Sequence, residues 1–322
     1  FIPSPGNAAR ENTDRVFTAD ARRFVLARRQ PYDLIVADLF HPSRDGAGFL
    51  YTQEHFSAIR HCLSESGIFC QWLPLYQMNI DLLKLIVRTF LKVFPEGTAF
   101  IAHHSLTQPI IGLVGGRSPL RIDPGALARR LTHQDGLANW LRFVGLPSVY
   151  TLAGCYLADG NQLKEFSGTG PYNTDDHPVV LFKAPSYVYG ENPAESTAGK
   201  FLSVMGAFTP DAATILSPTS TDDEKRRLSA YFQARNAYLQ TGARTPPSRD
   251  VQQIFRQVAG PLLDVVRTSP DFEAAFRPLL IIADRLHRKH PRMAEKLLSD
   301  LEFAAPHRSE TANLRRQWAT DG

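Results

Sequence analysis

Residues 15 to 115 alternate short apolar runs with amphipathic stretches, and this alternation constrains the fold more than any other feature of the sequence. It is typical of strands and helices that pack as a parallel sheet in an α/β fold. In a doubly wound sheet of this kind, ligands bind outside the carboxyl ends of the strands. We predict strands at 15–18, 32–38, 67–73, 98–103 and 110–114, and helices at 21–29, 52–64 and 81–94.

The rest of the chain has a mainly helical pattern. Residues 120–170 are predicted to be helical, and a polar turn at 172–178 leads into a short strand predicted at 179–183. From about Pro193, prolines separate amphipathic stretches at a spacing shorter than a full tetratricopeptide unit, which predicts a TPR-like helical region. We expect helices there at 222–239, 251–266, 272–290 and 292–304, with a linker at 241–250.

The length and composition allow more than one domain. The chain has 322 residues and is 43% hydrophobic, which is enough to bury a sizeable core. We predict an α/β domain over residues 1–190 and a helical, TPR-like tail over residues 191–322. The formal net charge is only +4 and the basic residues are scattered, so the composition gives no reason to expect a nucleic-acid partner.

The cysteines and the hydropathy pattern bear on the compartment. Cys62, Cys70 and Cys155 have neither the spacing of metal ligands nor the density of a disulfide framework, which indicates a reducing, cytoplasmic environment. The sequence has no uninterrupted apolar run of roughly 18 residues, the length that a membrane helix needs. Attachment of the complete parent protein to the inner membrane would therefore depend on residues outside this chain.

Three polar positions follow predicted strands at the edge where a doubly wound sheet binds ligands. Asp20 opens a helix, where its carboxylate can cap backbone amides or accept a hydrogen bond from an exocyclic amine. Asp38 ends the strand 32–38, where it can act as a general base toward an amine or remain a solvated strand-end carboxylate. Gln71 follows the next strand and is expected to line the same cleft.

Five short motifs, in order and spacing, resemble the polyamine aminopropyltransferases, the spermidine and spermine synthases. The resemblance covers roughly residues 5–190 and is closest to bacterial spermidine-synthase-like proteins, in which this domain often follows a membrane-spanning segment. It implies a nucleoside-binding, Rossmann-like sheet of the methyltransferase type that lacks its first strands and is followed by an α-helical region. The motifs are Ala19-Asp20-Ala21-Arg22, Tyr32-Asp33 with Ala37-Asp38, Gly46-Ala47-Gly48 with Leu50-Tyr51, Cys70-Gln71-Trp72-Leu73-Pro74, and Asn173-Thr174-Asp175-Asp176-His177-Pro178.

The resemblance also implies a role for individual residues. Asp20 and Ala21 would contact the adenine of decarboxylated S-adenosylmethionine or of the product methylthioadenosine. Asp38 would take a proton from the attacking amine. The loop from His41 to Tyr51 would cover the amine site, with both of these residues binding substrate, and Gln71 would line the cleft. Neither a metal nor a tightly bound cofactor is expected.

Two departures from the family pattern keep alternatives open. The second aspartate of the family's Asp-x-x-Asp-Pro pattern is replaced by His41, which could itself serve as a base. Before Asp20 there is neither a glycine-rich turn nor a strand-end acidic residue, which indicates an N-terminally truncated domain; the Gly115-Gly116 pair is interpreted as a turn. The alternatives are a methyltransferase that uses S-adenosylmethionine and a degenerate module that binds a protein partner through its tail. A homodimer is also left open.

Overall fold

A five-stranded mixed sheet with the order β1-β2-β4-β3-β5 forms the centre of the computed structural model. The structure describes residues 17–28, 31–38, 41–133, 135–189, 196–246 and 251–320. The strands are β1 (Tyr32–Ala37), β2 (Leu63–Pro74), β3 (Thr98–Ile101), β4 (Ile110–Gly116) and β5 (Tyr156–Ala158). The α/β class predicted from the sequence agrees with this sheet.

The prediction of a parallel sheet is correct only for β1 and β2. These two strands are parallel, whereas β2 and β4, β3 and β4, and β3 and β5 are antiparallel pairs. The loop from β3 to β4 is short, and such a connection can join only antiparallel neighbours. Gly115 and Gly116 lie in β4 and do not form the predicted turn. A Cβ atom at Gly115 would lie 2.6 Å from the ring of Phe94, so the glycine permits close packing against the sheet.

Helices occur both in the region of the sheet and in the C-terminal region. The sheet region contains α1 (Ala21–Ala27), α2 (Gln53–His61), α3 (Ile80–Val93), α4 (Pro124–His133), α5 (Asp135–Phe143), α6 (Val149–Ala153), α7 (Gly160–Ser167), α8 (Val179–Tyr189) and α9 (Thr197–Gly206). The C-terminal region contains α10 (Ala212–Ile215), α11 (Asp222–Arg244), α12 (Val251–Thr268), α13 (Glu273–His287), α14 (Pro291–Ala304) and α15 (Glu310–Thr320).

Two strand predictions were wrong where the structure describes the residues. The segment predicted as a strand at 179–183 is the first half of α8, in which Val180 and Ala184 are buried one helical turn apart. Four apolar residues in a row are too few to distinguish the helical period from the strand period. Of the strand predicted at 15–18, residues 15 and 16 lie outside the described residues. Phe17 and Thr18 are not in a strand, and the Phe17 ring packs against Phe24 of α1 at 5.6 Å.

Four phenylalanine side chains hold the sheet against the helices beside it. Phe56 of α2, Phe69 of β2, Phe90 of α3 and Phe94 after α3 are fully buried. Their ring centroids lie 4.9 to 6.1 Å apart. Such contacts add directional stabilisation to the burial of apolar area. The carboxyl end of β2 is therefore held on a well-packed support.

The chain has two cores, which meet at β5. The core of the sheet includes Phe201 and Val204 of α9, whereas residues from α10 onward build the second core. Arg235 of α11 is fully buried and donates hydrogen bonds of 2.7 and 2.6 Å to the carbonyls of Gly154 and Tyr156. This arginine ties the helical region to the sheet. The division at residue 190 stays a prediction.

Neither a membrane-spanning helix nor a metal-binding cluster occurs among the described residues. Among the helices that the structure describes, none is both long and apolar enough to cross a bilayer. The same residues contain no group of three or more histidine, cysteine, aspartate or glutamate side chains that could hold a metal ion.

Candidate active site

The carboxyl ends of β1 and β2 lie side by side. Ala37, the last residue of β1, pairs with Gln71 of β2, and the exposed Asp38 follows Ala37 directly. Gln71 is completely buried and its Nε2 donates to the carbonyl of Trp72 at 3.2 Å. Its Oε1 has no hydrogen-bond partner among the described residues. The structure therefore places Gln71 beside the end of β1, as expected, but inside β2 and fully buried, and not after the strand as the sequence predicted.

The loop from His41 to Tyr51, which we name the gate loop, follows Asp38 closely. Two turns shape it, since the amide of Arg44 donates to the carbonyl of His41 and the amide of Ala47 donates to the carbonyl of Arg44, both at 3.0 Å. Gly46 has a φ of 74°, a left-handed conformation that glycine adopts without strain. The loop backbone is thus fixed by its own hydrogen bonds.

His41 bridges the gate loop to the turn after β2. Its Nδ1 lies 2.6 Å from Oε1 of Gln77, in the 3₁₀ turn Leu75–Gln77. An amide oxygen can only accept a hydrogen bond, so Nδ1 carries the proton in this contact. When Nδ1 donates in this contact, Nε2 is the ring nitrogen that can accept a hydrogen bond.

A pocket of about 390 Å³, which we name the tyrosine pocket, lies where the gate loop, the turn after β2 and α8 meet. It contains polar and aromatic side chains from segments far apart in the sequence. Its lining residues are His41, Ser43, Arg44, Tyr76, Gln77, Tyr187, Val188, Tyr189 and Thr197. A cavity of this size accommodates a small organic molecule.

Asn173, in the polar turn before α8, fastens the gate loop to the core. Its backbone N–H donates to Oγ1 of Thr89 at 2.9 Å, and its Nδ2 donates to the carbonyl of Gly48 at 3.2 Å. Its Oδ1 accepts from the amide of Val180 at 3.0 Å. A Cβ atom at Gly48 would lie 2.6 Å from the backbone of Leu181, so only glycine fits there. The residues that resemble the end of the family domain thus hold α8 against the gate loop.

Tyr51, predicted as a substrate-binding residue, lies at the end of the gate loop with zero exposure. Burial raises the pKa of its hydroxyl, so the group stays neutral. The side chain belongs to the core of the sheet and does not line the tyrosine pocket.

Asp20 and Ala21, predicted to contact the nucleoside, lie at the start of α1. The carboxylate of Asp20 accepts a hydrogen bond from the amide of Arg23 at 2.9 Å and so caps the helix, as one of the two sequence interpretations expected. Ala21 lines a groove of about 820 Å³ between α1 and β1. In this groove Leu34 and Val36 are 61% and 52% exposed, and β1 has β2 as its one partner strand within the described sheet.

An ion pair joins α1 to the turn before α8. Arg22 donates to the carboxylate of Asp175 at 2.6 Å and to the carbonyl of Phe49 at 3.2 Å. Burial acts to raise the pKa of Asp175, but hydrogen bonds from Arg22 and Thr52 outweigh it, and the pKa is lowered. Asp175 is thus joined through Arg22 to Phe49 of the gate loop, which is a structural role.

The burial of His55 in α2 predicts a loss of stability in mild acid. Burial, assisted by the positive charge of Arg22, lowers the pKa of His55 to about 4 from 6.5. The unfolded chain takes up a proton below about pH 6.5 that the folded chain refuses until about pH 4, so the free energy of unfolding falls across this window. His55 accounts for a decrease of at most about 3 kcal/mol in the free energy of unfolding.

The free energy of unfolding can be measured by urea denaturation at pH 7 and at pH 4.5. Between these two pH values it should decrease less for His55→Gln than for the wild type. The exposed His61→Gln on the same helix is the control and should behave like the wild type.

Two pocket residues, and a lysine that contacts one of them, were missed from the sequence. Tyr187 and Tyr189 lie on α8, where a strand ending at residue 183 was predicted. Lys200 lies on α9 and donates a hydrogen bond to the hydroxyl of Tyr187. A helix predicted from residue 179 through Tyr189 would have placed both tyrosines on one element. The sequence gives no signal that this helix lies beside His41.

The comparisons with known proteins give distant matches. No protein-family model matches the chain. The polyamine aminopropyltransferase of Lachnospira eligens is 26% identical over 142 residues, which cover 42% of this chain and 50% of that protein. The polyamine aminopropyltransferase of Saccharolobus islandicus strain L.S.2.15 is 23% identical over 173 residues, 53% of this chain and 56% of that protein. The chain spans about half the length of these curated relatives, which support a distant relationship to a spermidine-synthase-like family.

Proposed function

We propose that the protein transfers an aminopropyl group from decarboxylated S-adenosylmethionine to an amine. The proposed site is formed by Asp38, Gln71 and the tyrosine pocket. The observation that carries the proposal is the position of Asp38, directly after β1 and three residues before His41 of the pocket. The distant similarity to polyamine aminopropyltransferases supports the same reaction class.

The reaction needs a base at this edge. An amine attacks with its lone pair, so the protonated nitrogen must first lose a proton. We propose that Asp38 takes this proton. The nitrogen then bonds to the propyl carbon next to the sulfonium, the carbon–sulfur bond breaks, and its electron pair leaves a neutral thioether, methylthioadenosine. His41, with its acceptor Nε2, is the second candidate base.

The nucleoside is proposed to bind on the α1 side of β1. Capping engages Oδ1 of Asp20, and the second oxygen of this carboxylate can accept a hydrogen bond from the adenine amine. Ala21 and the exposed apolar side chains of the groove offer a surface for the base.

The test is an assay of the native protein, purified from its source cells, with decarboxylated S-adenosylmethionine and a panel of primary amines. We expect amine-dependent release of methylthioadenosine. A parallel reaction with S-adenosylmethionine tests the methyltransferase alternative, which would release S-adenosylhomocysteine. Release of neither nucleoside with any amine would favour the binding module and contradict the proposal.

A further inference from the structure

The charges at the tyrosine pocket are those of a site for an anion. None of the described residues that line it is acidic, and Arg44 lies on its wall. The ammonium of Lys200, which is only 3% exposed, lies behind Tyr187, and within the described part of the chain no carboxylate forms an ion pair with it. A buried cation without a counter-ion raises the local positive potential.

Tyr187 lines the pocket, and its hydroxyl keeps a hydrogen that it can donate. Lys200 donates to its hydroxyl oxygen at 2.7 Å and to the carbonyl of Met78 at 2.6 Å. Since the tyrosine oxygen accepts from Lys200, its own hydrogen is directed elsewhere and can be donated to a ligand. The ammonium of Lys200 lies 4.9 Å from the centroid of the Tyr187 ring, at its hydroxyl end.

The two parts of the proposed site therefore differ in charge. Asp38, directly after β1, is the proposed partner of the reacting ammonium, whereas Arg44 on the wall of the pocket and the hydroxyl of Tyr187 suit an anionic group. A diamine that filled the pocket would bring its second ammonium toward the positive charges of Arg44 and Lys200, and like charges disfavour each other. His41 stands where the family pattern has its second aspartate, so one negative charge is absent from this part of the site. Its absence agrees with a site for an anionic group.

We infer that the acceptor is an amine that carries a carboxylate or another anionic group at its far end, and not a polyamine. This inference rests on the proposed function for the reacting end of the substrate, and it adds the chemical class of the other end.

The test uses two probes that differ only at the far end, 4-aminobutyrate and 1,4-diaminobutane. With the native protein we expect kcat/KM for transfer to 4-aminobutyrate to exceed that for 1,4-diaminobutane by about tenfold or more. Arg44→Glu should reverse the preference, whereas Arg44→Lys should keep it. Arg60→Glu, an exposed charge reversal on α2, is the control and should leave the preference unchanged.

Binding of each probe by calorimetry, without nucleoside, separates this inference from the proposed function. Tighter binding of 4-aminobutyrate that Arg44→Glu abolishes would support the charge preference even if neither probe were a transfer substrate, an outcome that counts against the transfer reaction. Tighter binding or faster transfer with 1,4-diaminobutane in the wild type would overturn the inference and leave the transfer reaction intact.

Discussion

Replacing Asp38 by asparagine is expected to lower kcat/KM for amine transfer by about 100-fold or more, the range for loss of a general base. Asparagine keeps the size of the side chain but cannot accept the proton that the attacking amine must lose. Asp38 lies at the exposed end of β1 and is not part of the core, so the fold should be unaffected. The affinity for methylthioadenosine should change little, because Asp20 and Ala21 lie at the start of a different element.

Asp33→Asn is the matched control for this experiment. Asp33 lies near the opposite end of the same strand, where its carboxylate accepts a hydrogen bond from Ser64 at 2.7 Å. We expect its kcat/KM to equal that of the wild type. If Asp38→Asn retains full turnover while His41→Gln loses it, the base is His41, and Asp38 has no part in the proton transfer.

Replacing Asn173 by alanine is expected to lower the free energy of unfolding by about 3 kcal/mol. The change leaves the carbonyl of Gly48 and the amide of Val180 without their side-chain partner. An unsatisfied buried backbone group costs about 1–3 kcal/mol. Because the same hydrogen bonds hold α8 to the gate loop, the tyrosine pocket should also loosen, and KM for the amine should rise.

Asn139→Ala provides the comparison for that loss of stability. Asn139 is an exposed asparagine of α5, and its side chain accepts a hydrogen bond from Arg142 at 2.8 Å. We expect a change in stability within about 0.5 kcal/mol. Chemical denaturation of both variants measures the difference, and equal stabilities for Asn173→Ala and Asn139→Ala would show that Asn173 does not fasten the loop.

Local sequence signals predicted the elements with strong periodicity. The helix expected at 81–94 is Ile80–Val93, because its apolar side chains recur at the helical spacing over almost four turns. Thr52 caps α2 as its side chain predicts. Short elements carry less signal, so β5, with three residues inside a mainly helical stretch, was missed. The direction of β4 depends on long-range pairing and could not be predicted from its own residues.

The sequence predicted the part of the candidate site that lies near the ends of β1 and β2. Asp38 follows the apolar residues 34–37 and Gln71 follows the apolar residues 68–70, and the parallel pairing of β1 with β2 places Gln71 beside Ala37. The other half depends on α8 and α9, more than 100 residues further along the chain. No local pattern places Tyr187 or Lys200 beside the gate loop, so only the tertiary structure shows the charge of the pocket.

We propose that an aminopropyl group is transferred where β1 and β2 end. The mass of the acceptor after incubation of the native protein with decarboxylated S-adenosylmethionine and an amine tests this claim. We predict an acceptor heavier by one aminopropyl group, with its formation lost in Asp38→Asn and retained in Asp33→Asn. An acceptor that gains a methyl group from S-adenosylmethionine, or one that is unchanged with either donor, would contradict the claim.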